Sequence, residues 1–155
     1  MKVSLDTSVI VAGLLSSHVL HDKCWPWLEQ ASQGAFEWIL PTHSLAEVYS
    51  VLTRMPLRPK LSPAVVHQLL NDSVLPYAKL QSLGADDYRE VIDHLAAAGL
   101  GGGITYDALQ TQAANIAQVD LLVTSNTNHF LQVWPAGAQR ITSPEITAPP
   151  GFEDD

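Results

Sequence analysis

Four side chains with oxygen donors, spread widely along the chain, could act together in chemistry: Asp6, Glu47, Asp107 and Asn126. Three carboxylates gathered at one place repel each other and raise their own pKa values, so cations are needed to keep them ionised. Hard oxygen ligands select Mg²⁺ or Mn²⁺. Such ions activate water and stabilise the charge that develops on a phosphate during in-line attack, which predicts a metal-dependent site for phosphodiester hydrolysis.

Two of these side chains are predicted to follow strands. Asp6 comes after the short apolar run of residues 3–5, which predicts a first strand leading into a helix. Asn126 comes just after residues 121–124, a largely apolar run that is typical of a strand buried on both faces. Sites in open parallel sheets form at the carboxyl ends of the strands, so we expect Asp6 and Asn126 at one edge.

The other two acids are each predicted near the start of a helix. Glu47 lies in the helix after a second strand, residues 36–40, and Asp107 lies in the helix after the glycine-rich residues 99–103. Strands that alternate with helices indicate an α/β fold, with a central parallel sheet between helical layers. Glu47 and Asp107 would then lie close to the edge that holds Asp6.

Each of these residues also has a local structural explanation. Asp6 can cap the first helix, and Ser44 with Glu47 three residues later matches a capping box. Asp107 can complement the dipole of its helix, and Asn126 can cap the helix that follows it. The shared location favours a functional site, because four purely local roles would not need to coincide at one sheet edge.

The charge of the chain limits how it could bind nucleic acid. There are 16 acidic and 8 basic side chains, for a formal net charge of −8. Such a surface repels nucleic acid unless cations are concentrated locally or supplied as metal ions, which excludes a generic basic binder. Arg54, Arg58 and Lys60 place three basic residues beside the predicted acidic edge and are candidates for phosphate contacts. The alternative is a solvated loop with ordinary charges.

Length and composition favour a single globular domain. The chain has 155 residues, of which 46% are hydrophobic and 15% charged, and this excludes disordered, collagen-like and coiled-coil proteins. We predict one domain over residues 1–145. Residues 146–155 contain proline and a closing run of acids, and we expect them to form a mobile tail.

The single cysteine, Cys24, excludes an internal disulfide and favours a reducing, cytoplasmic location. His18 and His21 precede it at intervals of three residues, but a set with this spacing turns about 120° around a helix and converges poorly on zinc. The apolar residues 9–15 are too short a run for a membrane span, so we expect no membrane anchor.

The order and spacing of several motifs resemble those of PIN-domain nucleases, and in particular VapC-type toxins of bacterial toxin–antitoxin pairs. The resemblance covers about residues 1–145. Any one motif is a weak signal, whereas the ordered set is specific. The matching stretches are Val3-Ser4-Leu5-Asp6-Thr7-Ser8, Leu45-Ala46-Glu47-Val48 with Leu52-Thr53-Arg54, Gly103-Ile104-Thr105-Tyr106-Asp107-Ala108-Leu109, and Leu122-Val123-Thr124-Ser125-Asn126 with His129-Phe130.

The resemblance implies a three-layer α/β/α sandwich, a divalent-metal-dependent endoribonuclease, an RNA substrate, a cognate antitoxin and a homodimer. On this pattern Asp6, Glu47 and Asp107 are metal ligands. Asn126 stands where the family usually has a fourth acid; its carbonyl can still coordinate but brings no charge, so a second ion should bind more weakly. Ser8 and Thr124 match positions that support the acids by hydrogen bonds.

Two alternative functions stay open from the sequence. One is a PIN-fold module that binds RNA or a partner but has lost catalysis, with Asn126 as the first sign of decay. The other is a flap-type nuclease acting on DNA, which the small size of the chain disfavours. Trp25 and Trp27, which flank Pro26, could form part of an antitoxin groove or a dimer face, or could simply pack in the core.

Overall fold

The computed structural model describes residues 1–152 and contains one five-stranded sheet. Its strands are β1 (Lys2–Leu5), β2 (Glu37–Pro41), β3 (Ala78–Gln81), β4 (Leu121–Val123) and β5 (Ile141–Thr142). All neighbouring strands pair in parallel, in the order β3-β2-β1-β4-β5. The predicted central parallel sheet is therefore confirmed, with β1 at its middle.

Helices connect the strands, as the alternating pattern predicts. The α-helices are α1 (Thr7–Leu14), α2 (His21–Ser32), α3 (Thr42–Arg54), α4 (Pro63–Ser73), α5 (Ala85–Ala97), α6 (Ile104–Ala117) and α7 (Thr127–Val133), and a 3-10 helix covers Pro135–Arg140. Parallel strands require such crossovers because consecutive strands must return to the same end of the sheet.

The two faces of the sheet are covered by different helices. Alternate residues of a strand point to opposite faces. In β1, Val3 and Leu5 belong to a buried cluster that includes apolar side chains of α1, α2, α3 and α4. On the other face, Ile39 and Leu122 pack in a cluster with side chains of α6 and α7. The three-layer α/β/α sandwich is therefore confirmed.

The capping box predicted for α3 is wrong. The helix begins at Thr42, directly after Pro41, so Ser44 lies inside its first turn and not at its cap position. The Ser44 side chain is fully buried and its hydroxyl donates toward Gln110 Oε1 at 3.5 Å. Ser44 therefore makes a tertiary contact instead of the capping bond that the local pattern indicates, and Glu47 has no capping role.

The tryptophans divide between core and surface. Trp27 and Trp38 are fully buried, whereas 41% of Trp25 is exposed and its ring stacks on His21. Trp27 therefore packs in the core, and only Trp25 could contribute to a contact face.

The described part of the predicted tail lies beside α2. Pro144 and Pro149 are buried, and a small cavity between residues 144–152 and α2 is lined on the helix side by Asp22, Lys23 and Pro26. The boundary at residue 145 and the mobility of residues 146–155 stay predictions, and residues 153–155 lie outside the described part of the chain. Within residues 1–152, no helix has both the length and the apolar character to cross a bilayer.

Candidate active site

A cavity of about 350 Å³ opens at the carboxyl ends of β1 and β4, and all four predicted oxygen-bearing residues line it. Asp6 follows β1, Asn126 follows β4, and Glu47 and Asp107 come from the first half of α3 and the first turn of α6. The parallel strand order brings these elements to the same edge. The other lining residues are Thr7, Ser8, Val11, His18, Val51, Met55 and Ser125.

Asp6 is held by hydroxyl groups on two sides. Its backbone N–H donates to the Val123 carbonyl at 2.9 Å, which continues the pairing of β1 with β4 to the edge of the cavity. Its Oδ2 accepts hydrogen bonds from Ser8 Oγ at 2.7 Å and from Thr124 Oγ1 at 2.9 Å. These two donors, predicted as supports of the acids, bond to the same carboxylate oxygen.

The same hydroxyls also position the loop after β4. The Asn126 N–H donates to Thr124 Oγ1 at 3.0 Å, and the Ser125 N–H donates to Ser8 Oγ at 3.2 Å. Asn126 precedes α7, but its side chain makes no capping hydrogen bond to that helix. The capping role considered for Asn126 is therefore wrong, and its amide group is available to the cavity.

Burial raises the pKa values of all three carboxyls, and repulsion by neighbouring carboxylates adds to the rise at Glu47 and Asp107. Burial raises the pKa of Asp6, although the bonds from Ser8 and Thr124 act against the shift. Burial, and then the charges of Asp6 and Asp107, raise the pKa of Glu47 to about 7. Burial and the charge of Asp6 raise the pKa of Asp107 to about 6. A bound cation would remove the repulsion and favour the ionised forms.

Two histidines that are not among the predicted site residues lie within 4.0 Å of a carboxylate of the site. His129 Nδ1 lies 3.2 Å from Asp107 Oδ2 and acts against the rise in the pKa of that carboxyl. His43 Nε2 lies 3.7 Å from Glu47 Oε1, and burial lowers the pKa of this imidazole, which favours its neutral form. The spacing of His43 four residues before Glu47 is a signal that could have been used, since side chains four apart share a helix face.

The cavity has the donor chemistry of a site for a hard divalent cation. The three carboxylates and the side-chain carbonyl of Asn126 all offer oxygen atoms as ligands. The Thr7 hydroxyl acts against the pKa shift of Glu47; it is buried and makes no hydrogen bond of good geometry within residues 1–152. As the side chains stand, no three His, Cys, Asp or Glu residues within 1–152 converge on one point. An ion shared by the three carboxylates would therefore require their side chains to move closer together.

Two other places carry no comparable chemistry. A second cavity of about 350 Å³ lies among α5, α6 and α7, and is lined largely by apolar side chains without a carboxylate among the described residues. The described residues contain no metal-binding group of three His, Cys, Asp or Glu side chains that includes His18, His21 and Cys24. Cys24 is buried, which raises the pKa of its thiol to about 11.

The sequence of the chain matches a known protein family. The pattern that defines the PIN domain matches residues 3–133. The chain belongs to the PIN-domain family. The matched range includes every residue that lines the acidic cavity, since these run from Asp6 to Asn126.

Curated relatives with similar sequences carry ribonuclease names. Ribonuclease VapC40 of Mycobacterium tuberculosis is 37% identical over 120 residues, which is 77% of this chain and 84% of the relative. Ribonuclease VapC27 of the same organism is 34% identical over 112 residues, which is 72% of this chain and 76% of the relative.

Solved structures support the PIN fold at lower sequence identity. The crystal structure of Mycobacterium tuberculosis VapC20, described as a sarcin-ricin loop cleaving toxin, superposes with a TM-score of 0.60 at 16% identity, over 77% of this chain and 86% of that one. FitAcB from Neisseria gonorrhoeae superposes with a TM-score of 0.63 at 18% identity, over 94% of this chain and 99% of that one. At these identities the likeness concerns the fold alone.

The predicted phosphate-binding residues lie outside the acidic cavity of this PIN domain. Arg54, Arg58 and Lys60 are exposed on the last turn of α3 and the loop after it, and the described residues offer none of them a carboxylate within 4.0 Å. Val51, on the last turn of α3, and Met55, directly after the helix, line the cavity. Arg54 is thus next to Met55 in the sequence, and Arg58 and Lys60 follow within five residues of it; the role of these three border cations in RNA binding stays a prediction.

The raised pKa values predict that the metal-free PIN domain loses stability as pH rises. The pKa of Glu47 increases from 4.5 to about 7, and that of Asp107 from 3.8 to about 6. Between the ordinary and raised values, the folded protein holds a proton that the unfolded chain has released, so the free energy of unfolding falls as pH rises. Because 32% of the Glu47 side chain is exposed, solvent screening reduces this effect.

In EDTA, we expect the free energy of unfolding to fall by on the order of 1 kcal/mol between about pH 5.5 and about pH 7.5, which lowers Tm by about 3 °C. Thermal unfolding at a series of pH values measures it. The Glu47→Gln protein is the control, since it keeps the other pH-dependent charges and should show a smaller slope. Equal slopes for the two proteins would show that Glu47 does not titrate as described.

Proposed function

We propose that this PIN-domain protein is a Mg²⁺- or Mn²⁺-dependent endoribonuclease and the toxin of a toxin–antitoxin pair. The observation that carries the proposal is the meeting of Asp6, Glu47 and Asp107 at one cavity on the carboxyl edge of the parallel sheet. The ribonuclease names of relatives at 37% and 34% identity support the same class of reaction for this chain.

Asp6, Glu47 and Asp107 would hold the divalent ion, and Asn126 would add a neutral oxygen donor. A bound ion of this kind supplies an activated water and stabilises negative charge on the phosphate. Ser8 and Thr124 keep the Asp6 carboxylate in a fixed orientation through bonds of 2.7 and 2.9 Å to its Oδ2. Because Asn126 carries no charge, a second ion would bind more weakly than the first.

The remaining groups at the cavity would position the RNA. The cavity is open to solvent beside the last turn of α3, where Arg54 is exposed. Phosphates of a bound strand can therefore reach cationic side chains while one phosphodiester lies among the acids. The carboxylates repel RNA until an ion is bound, so metal binding would precede productive substrate binding.

Incubation of the purified protein with single-stranded RNA, duplex RNA and single-stranded DNA, with Mg²⁺ or Mn²⁺, tests the reaction class. We expect cleavage of single-stranded or loop RNA, with 5′-phosphate and 3′-hydroxyl ends, because water rather than the 2′-hydroxyl attacks. Cyclic phosphate ends would contradict the metal-activated water mechanism. Preference for DNA would favour a flap-type nuclease, and metal binding without cleavage of any substrate would contradict the enzyme assignment.

Removal of the three border cations is expected to weaken RNA binding rather than the chemical step. In the combined Arg54→Ser, Arg58→Ser and Lys60→Ser protein, we expect KM for RNA to rise about tenfold or more and kcat to change less than about threefold. The dependence of KM on salt concentration should also become weaker, since fewer counterions are released on binding. Steady-state cleavage at several salt concentrations measures both effects.

A matched variant separates local contacts from overall charge. Replacement of Lys23, Lys79 and Arg89 by serine removes the same number of charges from exposed positions on α2, β3 and α5. This control should change KM much less than the border variant does. Similar KM values for the two triple variants would mean that only the net charge matters and that the border cations make no specific contact.

The toxin assignment is supported by the VapC names of the relatives and is tested in cells. Expression should arrest growth, and co-expression of a small protein encoded beside this chain should restore it. A homodimer and a cytoplasmic location belong to the same proposal; the buried single Cys24 agrees with a reducing compartment. Light scattering of the purified protein measures the oligomeric state.

A further inference from the structure

A fully buried polar cluster joins the three elements that carry the acids. Gln110 in α6 donates from Nε2 to Ser4 Oγ in β1 at 3.0 Å. Its Oε1 accepts from Ser44 Oγ in α3, at the longer distance of 3.5 Å. Ser4 and Ser44 have no exposed surface and Gln110 has 1%. The side-chain amide of Gln110 therefore connects its own helix, α6, with the central strand β1 and with α3.

Each member of this cluster lies about one turn or less from an acid of the cavity. Ser4 comes two residues before Asp6. Side chains two residues apart in an extended strand point to the same face, so the Ser4 hydroxyl and the Asp6 carboxylate lie on the same side at the end of β1. Ser44 lies three residues before Glu47, and Gln110 three residues after Asp107, which is about 4.5 Å along a helix. A shift of any one element would thus change the separation of the acids.

The buried apolar side chains of the two helices belong to different clusters. Val48 and Leu52 of α3 pack with side chains of α1, α2 and α4, whereas the buried apolar residues of α6 pack with those of α5 and α7. The Ser44 contact with Gln110 is therefore a direct link between the helix that carries Glu47 and the helix that carries Asp107. A buried polar group without a hydrogen-bond partner lowers the stability of the folded protein. The cluster therefore favours the one relative position of the three elements in which these bonds are made.

We propose that Gln110 is a positioning residue, whose bonds to Ser4 and Ser44 set the spacing of Asp6, Glu47 and Asp107 and thereby the affinity for the divalent ion. This inference rests on the proposed function, since it assigns Gln110 a role in ion binding at the same cavity. Gln110 itself does not line the cavity and acts only through the elements it joins.

The test uses Gln110→Met, which keeps the length and burial of the side chain but removes both hydrogen bonds. Thr111→Val is the matched control. Thr111 is the next residue of α6 and is also buried, but within residues 1–152 its hydroxyl bonds to the Ala108 carbonyl of the same helix alone. Calorimetric titration with Mn²⁺, RNA cleavage and thermal unfolding are measured for both variants and the unsubstituted chain, at a temperature where all are folded.

For Gln110→Met, we expect the Kd for Mn²⁺ to rise about tenfold or more and kcat to fall by a similar factor, with KM for RNA changed less than about twofold. Thr111→Val should lose comparable thermal stability with unchanged Mn²⁺ affinity and kcat. Ser44→Ala, which removes only the 3.5 Å bond, should give a smaller shift in the same direction and replaces Gln110→Met if that variant fails to fold.

Equal Mn²⁺ affinity in Gln110→Met and Thr111→Val, at similar stability, would overturn the positioning role and leave the proposed function intact. The same holds if Ser44→Ala is the variant compared. Failure of the unsubstituted protein to bind Mn²⁺ and to cleave RNA would instead overturn the proposed function. The two failures are therefore distinguishable within one set of measurements.

Discussion

An Asp6→Asn protein is expected to fold normally and to cleave RNA at least about 10³ times more slowly than the unsubstituted chain. Such a loss corresponds to about 4 kcal/mol of transition-state stabilisation. The Asn side chain keeps an oxygen that can accept from Ser8 and Thr124, so the surroundings of residue 6 are preserved. What the substitution removes is the negative charge that a divalent ion requires from its ligands.

The stability of the same variant separates a chemical defect from a folding defect. Burial raises the pKa of Asp6, which means that its ionised form is unfavourable in the metal-free folded protein. A neutral amide relieves this cost, so the Tm of Asp6→Asn in EDTA should equal or exceed that of the unsubstituted chain.

Asp93→Asn, at an exposed position of α5, is the control and should retain full activity. Single-turnover cleavage at saturating Mn²⁺ gives the rate for each protein. Residual activity of Asp6→Asn above about one tenth of the unsubstituted rate would contradict the role of Asp6 as an ion ligand.

Removal of divalent ions should have the second large effect. Excess EDTA is expected to abolish RNA cleavage, and Mn²⁺ added beyond the chelator should restore it. Ion binding to the folded state alone should also stabilise the protein by about 2.7 kcal/mol at a concentration of one hundred times Kd, or about 5–10 °C in Tm. Cleavage assays and thermal unfolding across a Mn²⁺ titration measure the two effects together.

The affinity for the ion should increase with pH, because the ion competes with protons at Glu47 and Asp107. The pKa values of about 7 and about 6 place this competition between mildly acidic and neutral pH. Saturating Mn²⁺ should therefore reverse the pH dependence of stability expected in EDTA. Full activity in excess EDTA would contradict the mechanism, and folded protein without stoichiometric Mn²⁺ binding would favour the decayed module.

The order of elements could be predicted from the sequence because it depends on local patterns. Short apolar runs before Asp6 and before Asn126 predicted buried strands, and β1 and β4 are found there. The amphipathic segment after the second strand predicted the helix that carries Glu47. In any parallel sheet the carboxyl ends of the strands share one edge, so the common location of the acids followed from element order alone.

Local patterns were less informative where a side chain had more than one possible partner. Ser44 and Glu47 have the spacing of a capping box, but the helix begins at Thr42, two residues before Ser44, and the Ser44 hydroxyl bonds to Gln110. Asn126 has the position of a helix cap, but its side chain makes no capping bond. In both cases the sequence contains a valid local motif, and a partner or cavity from a distant part of the chain decides how the side chain is used.

The sequence by itself determined that Asp6 and Asn126 follow strands, that the sheet is parallel so that their ends share one edge, and that the donors are of the type that selects a hard cation. Only the tertiary structure decided how strongly burial raises their pKa values, that His129 lies beside Asp107, and that Gln110 joins β1 to α3. The reason is distance along the chain: Gln110 and Ser4 are 106 residues apart, and Thr124 and Asp6 are 118 apart. Periodicity reports on neighbours within a few turns, whereas burial and hydrogen-bond partners depend on how whole elements pack.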